Sequence, residues 1–112
     1  MNNRAVMEQI AATDCTFVRE GTRWTGKCLI CGGRLAFDAP TGYGANIEHI
    51  VPRSRGGDNS LLNLGLTHPA CNSEKGVHWD SRRRRADPDR YAALLDRLLT
   101  ERRRRWRAAK GA

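Results

Sequence analysis

CLICGG at residues 28–33 and HPACN at residues 68–72 each set two soft-metal ligands two residues apart. Cys28-x-x-Cys31 reads as a knuckle, a tight turn between two thiols followed by glycines. His68-x-x-Cys71 repeats the spacing after 36 intervening residues, at the start of a helix-like run. Two such pairs can close a tetrahedral Cys₃His site around a structural Zn²⁺. In a secreted chain four cysteines would suggest two disulfides. The opening residues MNNRAVMEQI lack the long apolar stretch of a secretory signal, so a cytoplasmic setting is expected, in a bacterial cell or a phage-infected host, where disulfides are rare. Cys15 has no partner at ligand spacing. It reads as a small buried hydrophobe, with replacement of His68 as fourth ligand the alternative.

Outward from these pairs the pattern is mixed helix and strand. Leu35 and Phe37 alternate with polar neighbours, as on a half-buried strand. Pro40, Gly42 and Gly44 mark a loop. NIEHIV at 46–51 predicts a strand ended by Pro52. Arg53 to Ser60 is a glycine-containing loop, and 61–67 a further extended piece. Pro69 opens a short helix that Gly76 is expected to end. Residues 4–12 predict a helix with Val6, Met7 and Ile10 on one side and Asn2 or Asn3 as cap; Phe17 and Val18 suggest a short strand. Asp87-Pro88 starts the clearest helix, with Tyr91, Leu94, Leu95 and Leu98 in one apolar stripe that reads as a docking face.

With 112 residues and 39% hydrophobic content, the chain has room for one domain with a thin core, the kind that needs a staple. No apolar run is long enough to cross a membrane. Residues 1–81 hold 8 basic and 8 acidic side chains; residues 82–112 hold 12 and 4, so the whole +8 sits there. Arginine dominates it, as Arg82, Arg83, Arg84 and Arg85 and as Arg102, Arg103, Arg104 and Arg105. Guanidinium binds phosphate bidentately, so such an excess points to nucleic acid, against the simpler reading of a solvated basic face. The expected organisation is an N-terminal extension at 1–27, a core at 28–81 and a basic helix at 82–112.

Between the paired ligands lie Glu48-His49 and Asn63, with Asn72 directly after Cys71. Each alone is ordinary: a solvated carboxylate, a packed histidine, an Asn bonding backbone. Together they offer more. Glu48 and an Asn72 amide oxygen could supply hard oxygen ligands to Mg²⁺, and His49 is the side-chain type best suited to take a proton from water.

Cys28-x-x-Cys31, Glu48-His49-Ile50-Val51-Pro52, Arg55-Gly56-Gly57-Asp58, Asn63-Leu64, His68-x-x-Cys71-Asn72 and Lys75 together resemble the HNH endonucleases. The resemblance covers residues 28–76. It implies a small α+β, treble-clef-like ββα-metal finger with structural zinc, here flanked by an N-terminal helix and a basic C-terminal helix. It also implies hydrolysis of phosphodiester bonds in DNA, double-stranded by expectation. His49 would be the general base, and Glu48 and Asn72 would hold one catalytic Mg²⁺ or Mn²⁺. Asn63 would bridge the loop and hold the backbone at His49. Cys28, Cys31, His68 and Cys71 match the structural-zinc positions. Asn72 stands where the motif's last letter is usually His, which favours Mg²⁺ or Mn²⁺ over softer metals. Lys75 and the two arginine blocks would contact phosphate, or lie solvated. The rival is a zinc-bearing nucleic-acid-binding module without nuclease activity.

Overall fold

A computed structural model describes residues 3–81 and 87–109 of the chain. Helix α1 (Asn3–Ala12) forms where the sequence predicts it and buries Val6, Met7, Ile10 and Ala11. A three-stranded antiparallel sheet follows: β1 (Val18–Glu20), β2 (Arg23–Lys27) and β3 (Arg34–Asp38). Leu35 and Phe37 point inward, as their alternation requires. Phe17 is fully buried, but just ahead of β1, and Val18 is exposed. Strand β2, RWTGK, gives no apolar alternation in the sequence because its second inward residue is Gly26. That glycine is needed: a Cβ there would lie 2.5 Å from the Phe17 ring.

Strands β4 (Asn46–His49) and β5 (Leu64–Thr67) form a separate antiparallel pair, with Glu48 opposite Gly65 and His49 opposite Leu64. The strand expected to run to residue 51 stops at His49. Beyond it, Asn63 takes up the backbone: its main-chain oxygen accepts from Ile50 N–H at 2.9 Å and its side-chain oxygen from Val51 N–H at 2.9 Å. Residues 61–63 are one 3₁₀ turn rather than extended chain. Helix α2 (Pro69–Lys75) begins with Pro69 in its first turn. Gly76 does not end it. Its backbone stays right-handed helical and the chain widens into a π-turn over Gly76–Asp80, closed by Ser81 N–H to Gly76 O at 3.0 Å.

Helix α3 (Pro88–Arg104) is capped by Asp87, whose carboxylate accepts from the Asp89 and Arg90 N–H groups. Its stripe docks as expected: Tyr91 and Leu98 are buried, and Leu98 packs on Leu29 and Ile50 with Leu94 and Leu95 beside it. The main core lies between α1 and both sheets, built on Ile10, Phe17, Leu35, Phe37 and Leu66. Among the described residues no helix is long and apolar enough to cross a membrane.

The second arginine block departs from its expected role. Arg102 is fully buried and Arg105 is 4% exposed. Arg102 donates to the carbonyls of Leu61, Leu64 and Thr13 and to the Thr13 hydroxyl, at 2.8–3.1 Å. Arg105 pairs with Glu101 at 2.6 Å and donates to Lys27 O at 2.9 Å. Arg107 donates to the carbonyls of Ala11, Ala12 and Phe17. These side chains fasten the end of α3 to the rest of the fold and have no edge left for phosphate. Arg103 and Arg104 remain exposed. Arg82, Arg83, Arg84 and Arg85 lie outside the described residues.

This difference is measurable. Arg102→Ala removes four hydrogen bonds at the buried end of α3 and leaves a cavity, so a loss of about 3–5 kcal/mol in unfolding free energy is expected. Arg103→Ala, one residue on and exposed, should change stability by less than about 0.5 kcal/mol. Denaturant titration of the two variants checks the pair.

Candidate metal centre and active site

The four zinc-type ligands come together. Cys28 Sγ, Cys31 Sγ, Cys71 Sγ and a His68 ring nitrogen all lie within 4.8 Å of one another, and this is the one such group among the described residues. His68 Nδ1 is 3.4 Å from Cys31 Sγ and 3.8 Å from Cys71 Sγ. The knuckle closes by Cys28 N–H to Gly33 O at 2.8 Å and Gly32 N–H to Cys28 O at 2.9 Å, with Gly32 at a positive φ of 74° that favours glycine. His68 Nε2–H donates to Arg34 O at 2.7 Å. That bond leaves Nδ1 as the ligand atom and fixes the ring, as second-layer carbonyls do at zinc sites.

The thiols are prepared unequally. The Gly33 N–H, donating to Cys31 Sγ at 3.3 Å, lowers the Cys31 thiol to about 7. Burial, with Cys28 next to it, pushes Cys71 up to about 12. Three adjacent thiols can all bind as thiolates only around a cation, and a soft N/S set at this spacing fits Zn²⁺. Cys15 is exposed and stands apart from the cluster, so it is neither the buried hydrophobe expected nor the fourth ligand. Its backbone is held by Arg105 O, leaving the side chain outward.

The zinc frame sets the second cluster. Asn72 follows Cys71 on α2 and its amide donates to Glu48 Oε1 at 2.8 Å. Glu48 faces inward from β4, 5% exposed; Gly65 opposite it has no side chain. Burial raises the Glu48 carboxyl from its ordinary value, and Lys75 offsets part of that. A carboxylate beside an amide that can turn its oxygen inward offers two hard oxygen positions, which suits a dication that completes its shell with water and phosphate.

Lys75 is not a surface residue. It is 3% exposed, with Nζ 2.7 Å from Glu48 Oε2, 3.0 Å from Ile50 O and 3.0 Å from both Asp80 oxygens. It can be neither the phosphate contact nor the solvated lysine expected. It faces inward because α2 packs on β4 and continues past Gly76, which brings Asp80 back over it.

His49 lies on the opposite side of β4 from Glu48. Its Nε2–H donates to Asn59 Oδ1 at 2.8 Å, leaving Nδ1 free to accept a proton. A groove of about 460 Å³ leads up to it, lined by Arg4, Met7, Thr41, Asn46 and Ile47 among others. Asn63 staples the intervening loop. Besides the Val51 and Ile50 bonds, its amide donates to Val51 O at 3.1 Å and Asp58 O at 2.9 Å. It thus grips the chain just after His49 rather than His49 itself. Gly57 allows that closure, since a Cβ there would fall 1.7 Å from Val51 O.

Three residues of the site are not read as such from the sequence: Asn59 and Asp80 carry no signal there, and Tyr91 reads only as part of a docking stripe. Tyr91 donates its hydroxyl to Asp80 Oδ1 at 2.6 Å, and burial followed by Asp80 pushes its phenol up. Each sits in an irregular segment or on another helix, so spacing alone does not link it to the motif.

A small α+β domain here brings a Cys₃His cluster together with a Glu–His strand and an Asn-bearing helix. Residues 28–79 match the family model described as HNH endonuclease. Over this segment the chain is similar to the HNH endonucleases. No curated protein and no solved structure matches the chain.

Proposed function

We propose that this chain is an endonuclease that hydrolyses DNA phosphodiester bonds with one divalent cation, Mg²⁺ or Mn²⁺, held by Glu48 and Asn72. The observation that carries this reading is the 2.8 Å contact between Glu48 and Asn72, with His49 next along the same strand and lining a groove. Residues 28–81 would form a ββα-metal, treble-clef-like core, with Cys28, Cys31, His68 and Cys71 around structural Zn²⁺. When bound, the catalytic cation supplies charge stabilisation at the phosphate and leaving oxygen. The protein supplies the rest. Asn59 holds the imidazole so that His49 Nδ1 takes a proton from the attacking water. Asn63 keeps the loop after His49 closed. Glu48, desolvated and flanked by Asn72, stays oriented inward. Exposed arginines, Arg103 among them, together with the block at 82–85, would hold the DNA backbone without reading sequence.

The test is nicking of supercoiled plasmid by zinc-loaded protein. Open circles should appear with Mg²⁺ or Mn²⁺, disappear on chelation, and be absent with Glu48→Gln. Binding of DNA without cleavage under every metal would identify a zinc-bearing binding module instead.

A further inference from the structure

Glu48 already faces a cation belonging to the protein. The Lys75 ammonium is shared between Glu48 at 2.7 Å and Asp80 at 3.0 Å, both carboxylates being largely withdrawn from water. Asp80 is in turn anchored by the Tyr91 hydroxyl at 2.6 Å. The Tyr91 ring stacks with Trp79, centroids 6.4 Å apart, and carries the Arg55 guanidinium 4.6 Å from its centroid. Asp80 and Tyr91 both lie beyond the matched segment 28–79. A chain of contacts therefore runs from α3 through Tyr91, Asp80 and Lys75 to Glu48.

We propose that Asp80, anchored by Tyr91, is a positioning residue that draws Lys75 partly away from Glu48 and so keeps that carboxylate open to a divalent cation. The proposal rests on the reading of Glu48 as a metal ligand. An ammonium divided between two carboxylates holds each less tightly than one bound to a single partner. A dication arriving at Glu48 meets less repulsion from Lys75 while Asp80 balances it. Without the Asp80 charge, Lys75 and Glu48 form an isolated buried pair, which the metal has to break. Helix α3 then contributes to the active site and not only to the core.

Mn²⁺ binding to the zinc-loaded full chain, followed by the electron paramagnetic resonance of free Mn²⁺, tests this, with a melting curve for each variant. Wild type should bind one Mn²⁺ that Glu48→Gln loses. Asp80→Asn should weaken that site by about tenfold or more, the scale on which outer-layer partners tune metal affinity. Adding Lys75→Met to Asp80→Asn removes the competing ammonium and should restore binding. Unchanged affinity in Asp80→Asn overturns the proposal, as does a loss that the double variant fails to recover, since that marks a merely structural role. Should Asp80→Asn fail to fold, Tyr91→Phe carries the test: it removes the anchor alone, and unchanged Mn²⁺ affinity would overturn the proposal. A wild type with no Glu48-dependent Mn²⁺ site would sink the catalytic reading itself.

Discussion

His49→Ala is expected to slow single-turnover cleavage by about 10²–10⁴-fold, the usual contribution of a general base. DNA affinity should stay within about twofold of wild type, because phosphate contacts, not the base, carry nonspecific affinity. The structure sharpens this expectation. His49 is half-buried on the lining of the groove, and its ring donates one hydrogen bond, to Asn59 Oδ1. The substitution should therefore leave the melting temperature nearly unchanged, which separates lost chemistry from lost structure. Asn59→Ala provides the graded companion. It frees the imidazole to turn, so cleavage should fall less than in His49→Ala, again with little change in stability. Rapid-quench rates and gel-shift affinities for the two variants decide the matter. An unchanged cleavage rate in His49→Ala would remove the imidazole from the reaction.

The elements that position the site were legible where local chemistry is strong. Paired metal ligands, the Asp87-Pro88 cap and the alternation of Leu35 and Phe37 each act within a few residues. Their signals survive in a linear string. Strand β2 was not legible because its inward positions are Trp24 and Gly26, and the glycine yields space to Phe17 from an earlier segment. The π-turn after α2 was hidden for a related reason. A glycine such as Gly76 commonly ends a helix, but here Lys75 pairs with Asp80, which also accepts from the Tyr91 hydroxyl on α3, and those contacts favour continuing the coil. Local propensity lost to tertiary packing at both places.

The arginines teach the same lesson in charge. A run of four reads as one basic face, but α3 places successive residues about 100° apart. Arg102 and Arg105, three residues apart, share the inward side and are consumed by carbonyls and Glu101. Arg103 and Arg104 point outward. Arg104 is itself paired with Glu101 at 2.6 Å, and it is the first cause holding the Glu101 carboxyl at about 2. The phosphate-binding capacity of this block is thus smaller than its sequence count, and the salt dependence of DNA affinity should reflect Arg103 more than its neighbours.

Removing zinc is expected to have the largest effect on the protein, collapsing the cooperative fold rather than weakening it. The two ligand pairs join segments that otherwise meet through few bonds. Leu29 N–H to Leu66 O at 3.0 Å ties the knuckle to β5, and His68 to Arg34 O at 2.7 Å ties it to β3. Cys71 lies in the first turn of the helix that carries Asn72 and Lys75. Binding energies of about 10–16 kcal/mol for structural Zn²⁺ are as large as the whole stability typical of a domain this size. Elemental analysis of purified protein should give one zinc per chain. Chelation should then abolish the sharp thermal transition, and Cys71→Ser should reproduce that loss without chelator. The same treatment should erase Mn²⁺ binding at Glu48, since Asn72 and Lys75 lose their placement together. Zinc-free protein that still melts in one sharp step would show that the hydrophobic core at Ile10, Phe17, Phe37 and Leu66 suffices, and the metal would then be dispensable to the fold.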